Sequence, residues 1–227
     1  MNLNTYYEKC SEIIRRTANE FSVYVGRYRD FCAEVTRNEY CLGSDGLHRG
    51  AYCPSLIQDI VIGKTKRGRL TGVCPRIKVA SFVYGFDSNG RLLTVDDPFA
   101  HEILVYEDQV EVGISFYSEF GIFGISECTH DPTGRLAKYA TYLLSADRCC
   151  VIDSTTEEYT YEENRLLVDM YRYSQVVGLT HERYVFSLVD GYLSSYTIEH
   201  YSEGKRVPDI WDGRVWPVSI KRKVLGE

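Results

Sequence analysis

Two patterns of apolar and polar residues divide this chain. Over residues 3–37, apolar side chains recur at alternating intervals of four and three residues, which places them on one face of a helix. The positions are Leu3, Tyr7, Cys10, Ile14, Thr17, Phe21, Tyr24, Tyr28, Phe31 and Val35. Gly26 falls within this pattern and either bends the helix or splits it in two. The pattern therefore predicts an N-terminal helical segment.

The aromatic character of this stripe bears on what the helix packs against. A stripe that continues for several heptads is typical of a dimerising coiled coil. Coiled-coil seams favour Leu and Ile, whereas this stripe carries several Tyr and Phe residues. That composition favours a helix packed on the protein's own sheet.

Residues 77–221 instead alternate short apolar runs with turn sequences. Strands are predicted over residues 79–86 and 92–95, and Asn89-Gly90 between them signals a hairpin with a type I′ turn. Further turn sequences are centred near residues 108, 134, 164, 191 and 213. This spacing predicts a long antiparallel meander of hairpins.

The stretch between the helical and hairpin patterns is rich in glycine. Residues 38–56 are predicted to form a connecting loop, followed by short strands over residues 56–62 and 70–73. The predicted fold is α+β and mostly β. It consists of an N-terminal helical segment, residues 1–40, packed on an antiparallel β-hairpin domain, residues 41–227.

Composition narrows the class of protein. Of the 227 residues, 44% are hydrophobic and 26% are charged, a balance typical of globular chains, and the 19 tyrosines suit half-buried sheet faces. No apolar run approaches the roughly 20 residues of a membrane helix. Residues 1–8 do not have the features of a signal peptide, so we expect a cytoplasmic protein with no membrane partner. The net charge of −6 argues against nucleic acid as a partner.

The sequence contains no recognisable catalytic or cofactor motif. None of the five histidines falls in a hydrolase or zinc-protease motif, and Gly63-Lys64-Thr65 does not complete a P-loop because Gln58 stands where glycine is needed. The eight cysteines form no Cys-x-x-Cys pair, and Cys41, His48 and Cys53 fit no zinc spacing. We therefore expect reduced thiols, no catalytic residue, no metal and no cofactor. The alternative is an enzyme with an unrecognised active site between the helix and the sheet.

Charged residues are segregated along the sequence. Between Arg91 and Arg135 there is no Lys or Arg, and a basic block without acidic residues, residues 64–78, precedes this stretch. The acidic residues of the stretch are Asp96, Asp97, Glu102, Glu107, Asp108, Glu111, Glu119, Glu127 and Asp131. Two interpretations stay open. Neighbouring basic strands neutralise the acidic ones, or an acidic sheet face attracts a basic partner at a high rate.

One turn sequence resembles a known family. The run from Phe86 to Leu92, Phe-Asp-Ser-Asn-Gly-Arg-Leu, resembles the YD repeat of Rhs-type proteins, whose core reads Tyr-Asp-x-x-Gly-Arg-Leu. Phe86 replaces the tyrosine, and Tyr161 to Leu166 is a poorer copy with Glu162 in place of the aspartate. The chain is also similar to small bacterial immunity proteins of polymorphic toxin systems, which carry comparable hairpins. The resemblance implies a non-catalytic, protein-binding role.

The resulting hypothesis is an immunity-type protein that neutralises a basic toxin through an acidic sheet face. Toxins that act on nucleic acid carry basic surfaces, and charge complementarity speeds the encounter of two proteins. Apolar anchors must accompany the charges, because charge alone supplies little affinity. The predicted partner-binding residues are Asp108, Glu111 and Glu119, with Tyr106, Phe116 and Tyr117 as anchors. The sequence leaves the oligomeric state and the partner's identity open.

Overall fold

One antiparallel sheet forms the framework of the protein, and this confirms the predicted α+β, mostly β fold. The computed structural model describes residues 3–61, 66–75, 79–119, 121–210 and 212–218. Fourteen strands of these residues join in a single open sheet, and the N-terminal helices pack on one of its faces. Among the described residues, no helix has both the length and the apolar character that a membrane crossing requires.

The strands follow one another as a meander. The helices are α1 (Leu3–Arg16), α2 (Ser22–Gly26), α3 (Tyr28–Glu34) and α4 (Leu56–Ile60), with a π-helical turn at Thr17–Phe21 and a 3₁₀ turn at Gly50–Tyr52. The strands are β1 (Arg37–Leu42), β2 (Arg69–Thr71), β3 (Phe82–Phe86), β4 (Leu92–Asp96), β5 (His101–Glu107), β6 (Val110–Tyr117), β7 (Gly121–His130), β8 (Leu136–Leu144), β9 (Val151–Tyr161), β10 (Arg165–Ser174), β11 (Gly178–Val189), β12 (Tyr192–Ser202), β13 (Lys205–Val207) and β14 (Trp216–Pro217). From β3 to β13 each strand pairs with its neighbours in sequence, whereas β1 lies between β3 and β2, and β14 pairs with β12.

The helices cover the face that we call the helix face. Ile103, Ile114 and Ile125 lie directly opposite one another on β5, β6 and β7, so their side chains share one face. Ile13 of α1 and Phe21 of the π turn pack into the same buried cluster. The predicted packing of the helical segment on the protein's own sheet is therefore present. The helical backbone continues through the π turn and is interrupted at Arg27, directly after the Gly26 at which a bend or a split is predicted.

The opposite face, which we call the segment face, is covered by residues 43–61, the covering segment. Two predictions for this region are wrong. Residues 38–42 belong to strand β1 instead of a loop, and the strand predicted over residues 56–62 is helix α4 as far as Ile60. The Ser55 hydroxyl accepts a hydrogen bond from the Gln58 amide at 2.9 Å and so caps the helix. Leu56, Ile57 and Ile60 then face the sheet together.

The hairpin turn at Asp87–Arg91 differs from the predicted type I′ geometry. Gly90 has a positive φ of 81°, but Asn89 does not have a positive φ. Instead, one oxygen of the Asp87 carboxylate accepts from the amides of Asn89 and Arg91, each at 2.8 Å. A left-handed glycine after a type I turn is the three-residue alternative to the two-residue type I′ loop. The aspartate at the start of the turn favours this three-residue geometry, because its carboxylate takes the place of a backbone acceptor for the two amides.

Candidate functional site

The six residues predicted to bind a partner do not lie on one surface. Asp108 lies in the β5–β6 turn and Glu119 in the β6–β7 turn, so they are at opposite ends of β6. Phe116 is buried beneath the helices, where its ring meets the edge of Tyr28 at a centroid distance of 5.4 Å. Tyr117 is partly exposed and stacks on Phe123 at 4.3 Å.

Tyr106 braces the neighbouring hairpin. Its hydroxyl donates to the carbonyl oxygen of Leu92 at 2.8 Å, and the guanidinium of Arg91 lies 5.6 Å from its ring centroid. The same contact recurs at the β7–β8 hairpin, where the Tyr161 hydroxyl donates to the carbonyl of Leu136 at 2.9 Å. Both tyrosines follow an Asp-x-x-Gly-Arg-Leu turn, so this contact stabilises that turn type within the sheet.

Glu111 belongs to a buried ionic cluster on the segment face. The side chain of Arg49, from the covering segment, is only 2% exposed. Its guanidinium donates to both oxygens of Glu102 at 2.9 Å, to Ser126 Oγ at 2.8 Å, and to Glu111. One cation thus satisfies two carboxylates and a hydroxyl from three strands of the sheet. Glu111 is therefore committed to an internal contact.

The backbone around Arg49 is shaped for this contact. Arg49 has a left-handed φ of 56°, and its carbonyl oxygen accepts from the Tyr84 hydroxyl at 2.9 Å. Opposite it, Gly113 leaves the space that the guanidinium fills. A Cβ atom on Gly113 would lie 2.0 Å from Glu102 Oε1 and 2.2 Å from Arg49 Nη2. The cluster therefore requires glycine at position 113.

Two further polar groups extend the cluster under the covering segment. His48 Nε2 lies 3.3 Å from Glu102 Oε2, and His48 Nδ1 lies 2.6 Å from the Tyr139 hydroxyl. Burial favours the neutral form of Glu102, yet the Arg49 guanidinium and the contact with His48 hold its pKa well below its usual range. Glu102 is thus an anion, and its charge is balanced by Arg49.

Glu157 is a second buried carboxyl beneath the covering segment. It accepts a hydrogen bond from the Ser55 hydroxyl at 2.6 Å and another from the Tyr159 hydroxyl. Burial raises its pKa by more than these two hydrogen bonds and the charge of Arg172 lower it. Burial therefore raises the pKa of Glu157 to about 7.

Four of the nine acidic residues in the acid-only stretch, the sequence between Arg91 and Arg135, pair with cations from the elements that cover the sheet. Glu127 pairs with Lys9 at 3.0 Å, and Glu107 pairs with Arg16 at 2.6 Å, so α1 supplies both cations. Arg49 of the covering segment balances Glu102, as described above. These cations come from the elements that cover the sheet, so these pairs differ from the neutralisation by neighbouring basic strands that the first interpretation expected.

Tyr117 and Leu143 are exposed at the end of the sheet that contains the β6–β7 turn, and the half-buried Phe123 stacks on Tyr117. We call Tyr117, Phe123 and Leu143 the apolar patch. Leu143 lies directly opposite Asp153 on β9. Phe99 of the β4–β5 turn and Val176 of the β10–β11 turn lie at the same end and are 84% and 95% exposed. The surrounding acidic and basic residues of this end are Asp97, Glu119, Asp147, Asp153 and Arg148.

A chain of polar contacts lies where α3 meets the sheet. His101 Nδ1 is 2.7 Å from Asp96 Oδ1, and His101 Nε2 is 3.1 Å from the hydroxyl of Ser118. The Tyr28 hydroxyl donates to the same Asp96 oxygen at 2.7 Å, and burial raises the pKa of Tyr28. The sequence contains no motif for this arrangement, because Asp96 and Ser118 come together only through the pairing of β4, β5 and β6.

Neither clustered metal ligands nor similar proteins assign a function to the chain. Within the described ranges, no three His, Cys, Asp or Glu side chains converge as a metal site requires. No family model matches the chain, and no curated protein or solved structure is significantly similar to it. The function must therefore be argued from the chain's own surfaces.

Proposed function

We propose that this protein is a binding module for a protein partner with a basic surface, and that the apolar patch with its acidic border is the docking site. The observation that carries the proposal is the exposure of Tyr117 and Leu143, which are 37% and 42% exposed, at the end of the sheet where Phe123 stacks on Tyr117. Exposed apolar groups rimmed by charge are typical of protein interaction sites.

The charge around the patch argues for the chemistry of the partner, because four of the five charged residues named above are acidic and Arg148 is the fifth. Glu119 follows Tyr117 after one residue, and Asp153 lies opposite Leu143. An acidic rim speeds the encounter with a basic partner and orients it, while the aromatic rings supply affinity. Of the six predicted residues, Tyr117 and Glu119 belong to this site. Neutralisation of a basic bacterial toxin, the role that the similarity to immunity proteins implies, is the form of binding we propose.

The same proposal includes a cytoplasmic location. All eight cysteines are free thiols in the structure, five of them outside the buried core. Exposed thiols such as Cys149 and Cys150 persist in a reducing compartment.

The test compares two variants that change opposite ends of the sheet. Tyr117→Ala/Glu119→Lys removes an anchor and reverses a charge within the patch, whereas Val189→Ala/Glu163→Lys makes matched changes near the β9–β10 and β11–β12 turns. A protein captured from cell extract by the wild type is purified, and its binding to the three proteins is measured by surface plasmon resonance.

We expect the patch variant to bind at least about tenfold more weakly and the control variant to bind like the wild type. The association rate of the wild type should fall as the salt concentration rises. Equal affinity of both variants, or a captured partner whose contacting surface is acidic, would contradict the proposal.

A further inference from the structure

We propose that Ser118, His101 and Asp96 form a serine nucleophile site that reacts with small acyl esters. This activity goes beyond partner binding, and it rests on different atoms. The three side chains form a continuous hydrogen-bonded chain from carboxylate to imidazole to hydroxyl, with distances of 2.7 Å and 3.1 Å. Nucleophile, base and orienting acid are recognised by this order of contacts and not by sequence position.

The contacts assign a role to each ring nitrogen of His101. Asp96 Oδ1 lies beside Nδ1, which holds the Nδ1–H tautomer and leaves Nε2 as the unprotonated nitrogen facing Ser118. Tyr28 fixes the carboxylate, because its hydroxyl donates to the same oxygen. The ring is held further by packing against Tyr28 and Phe116, at centroid distances of 4.8 Å and 5.4 Å.

Paired strands position two of the three groups. Asp96 and His101 lie directly opposite each other on β4 and β5, and His101 lies opposite Phe116 on β6. Ser118 follows the end of β6 and is exposed, so its hydroxyl is open to a reagent from solvent. An open surface position suits a small ester better than a long acyl chain, which requires a deep pocket.

The reaction balances with water as the second substrate. Ser118 Oγ bonds to the carbonyl carbon of the ester while His101 Nε2 takes the hydroxyl proton. The bond from that carbon to the alcohol oxygen breaks, and His101 returns the proton to the departing alcohol. Water then attacks the acyl-serine with His101 as base, which releases the carboxylic acid and restores the Ser118 hydroxyl. Asp96 is a positioning residue that stabilises the imidazolium.

The experiment uses a fluorophosphonate probe on the full chain. Labelling is followed by intact mass and peptide mapping in the wild type and in Ser118→Ala, His101→Gln and Ser88→Ala. Ser88 is the control, since it is also an exposed serine in a hairpin turn but lies in the β3–β4 turn at the other end of the sheet. Circular dichroism establishes that each variant is folded.

We expect one adduct, on Ser118, that is absent from Ser118→Ala and forms at least about tenfold more slowly in His101→Gln, while Ser88→Ala is labelled like the wild type. Release of p-nitrophenol from p-nitrophenyl acetate should follow the same order. In Asp96→Asn the pH profile of labelling should change shape, whereas partial unfolding would lower the rate at every pH. No adduct on Ser118 in the folded wild type, or an adduct that forms equally fast in His101→Gln, would overturn the proposal.

Discussion

Arg49 and Glu102 are joined by two parallel hydrogen bonds of 2.9 Å each, although 53 positions separate them in the sequence. Both side chains are almost fully buried, so this pair fastens the covering segment to the centre of the sheet. A buried ion pair contributes little net stability compared with apolar residues, but the loss of one partner is costly because it leaves a buried charge uncompensated. The geometry of the pair leads to the first two predictions.

Arg49→Met should lower the free energy of unfolding by about 3–5 kcal/mol, because Glu102 and Glu111 would lose their shared cation. Urea denaturation followed by circular dichroism measures the change. The control is Arg165→Met, which removes an exposed pair to Glu162 at 2.8 Å and should cost less than about 1 kcal/mol. An unchanged unfolding midpoint for Arg49→Met would show that the ionic cluster does not hold the covering segment on the sheet.

Gly113→Ala should destabilise the fold by about 1–3 kcal/mol or more, because the added methyl group would occupy the space of the guanidinium and the Glu102 carboxylate. Gly124→Ala is the matched change on the next strand, where the nearest atom to an added Cβ lies at 3.6 Å, an ordinary contact distance. We expect Gly124→Ala to be nearly neutral. Equal unfolding midpoints for the two variants in urea would contradict the close approach at Gly113.

Gly90→Val should cost roughly 1–2 kcal/mol, since a β-branched residue is strained at the φ of 81° found in this turn. Gly90→Ala should cost less. Space is not the cause, because no atom lies within 4 Å of an added Cβ. Gly72→Val serves as the control, as Gly72 also has open space but no positive φ. Chemical denaturation midpoints that coincide for Gly90→Val and the wild type would disprove the turn assignment.

The free energy of unfolding should fall as the pH rises from about 5 to about 8, because Glu157 titrates in this range. Burial raises the pKa of this carboxyl to about 7 from its ordinary 4.5, so the folded protein keeps a proton that the unfolded chain has released. The contribution is fully present below pH 4.5 and is lost as the pH rises through 7. Glu157→Gln cannot titrate and should lose less stability over this range, by on the order of 2–3 kcal/mol.

Urea midpoints at pH 5 and pH 8 for the two proteins measure this difference. Other titrating groups are common to both proteins, so they cancel in the comparison. Identical pH dependence in wild type and Glu157→Gln would mean that the buried carboxyl has an ordinary pKa.

The rate at which each cysteine is alkylated in the folded protein should depend on how deeply its thiol is buried. In denaturant without reductant, we expect all eight to be labelled, as reduced thiols. In the folded protein, the exposed Cys32, Cys74, Cys149 and Cys150 should react first. Cys53 and Cys128 should react slowly, since burial raises their pKa values to about 11 and 12. Fewer than eight labels in denaturant, seen by intact mass, would reveal disulfides.

The hairpins were predictable because each one is encoded locally. A turn residue with positive φ, such as Gly90 or Gly134, lies between two apolar runs within about ten residues. The detailed turn type was missed because the side chain of Asp87 competes with the backbone for the same amides. Helix α4 was missed because five residues from Leu56 to Ile60 are too few to distinguish the period of a helix from an apolar strand.

The ionic cluster and the hydrogen-bonded side chains of Asp96, His101 and Ser118 were not predictable in the same way. Arg49 is a single basic residue in a glycine-rich stretch, and only the folded sheet shows that it meets Glu102 and Ser126. One signal was present: an acid-only stretch of this length requires cations from elsewhere, and the basic residues of α1 and the covering segment were available. Which cation meets which acid depends on strand register, which distant sequence positions do not reveal.

The meander also bears on how the chain folds. Between β3 and β13, every pairing closes only a short turn, so hairpins can form early with little loss of chain entropy. The covering segment is different, because Arg49 must find Glu102 across 53 residues and Ser55 must find Glu157 across 102. Its docking closes long loops and depends on a sheet that already exists, as does the docking of α1, where Ser154 meets Tyr6 across 148 residues. A chain in which the covering segment has not yet docked would therefore expose the ionic cluster together with the apolar residues that Leu56, Ile57 and Ile60 cover.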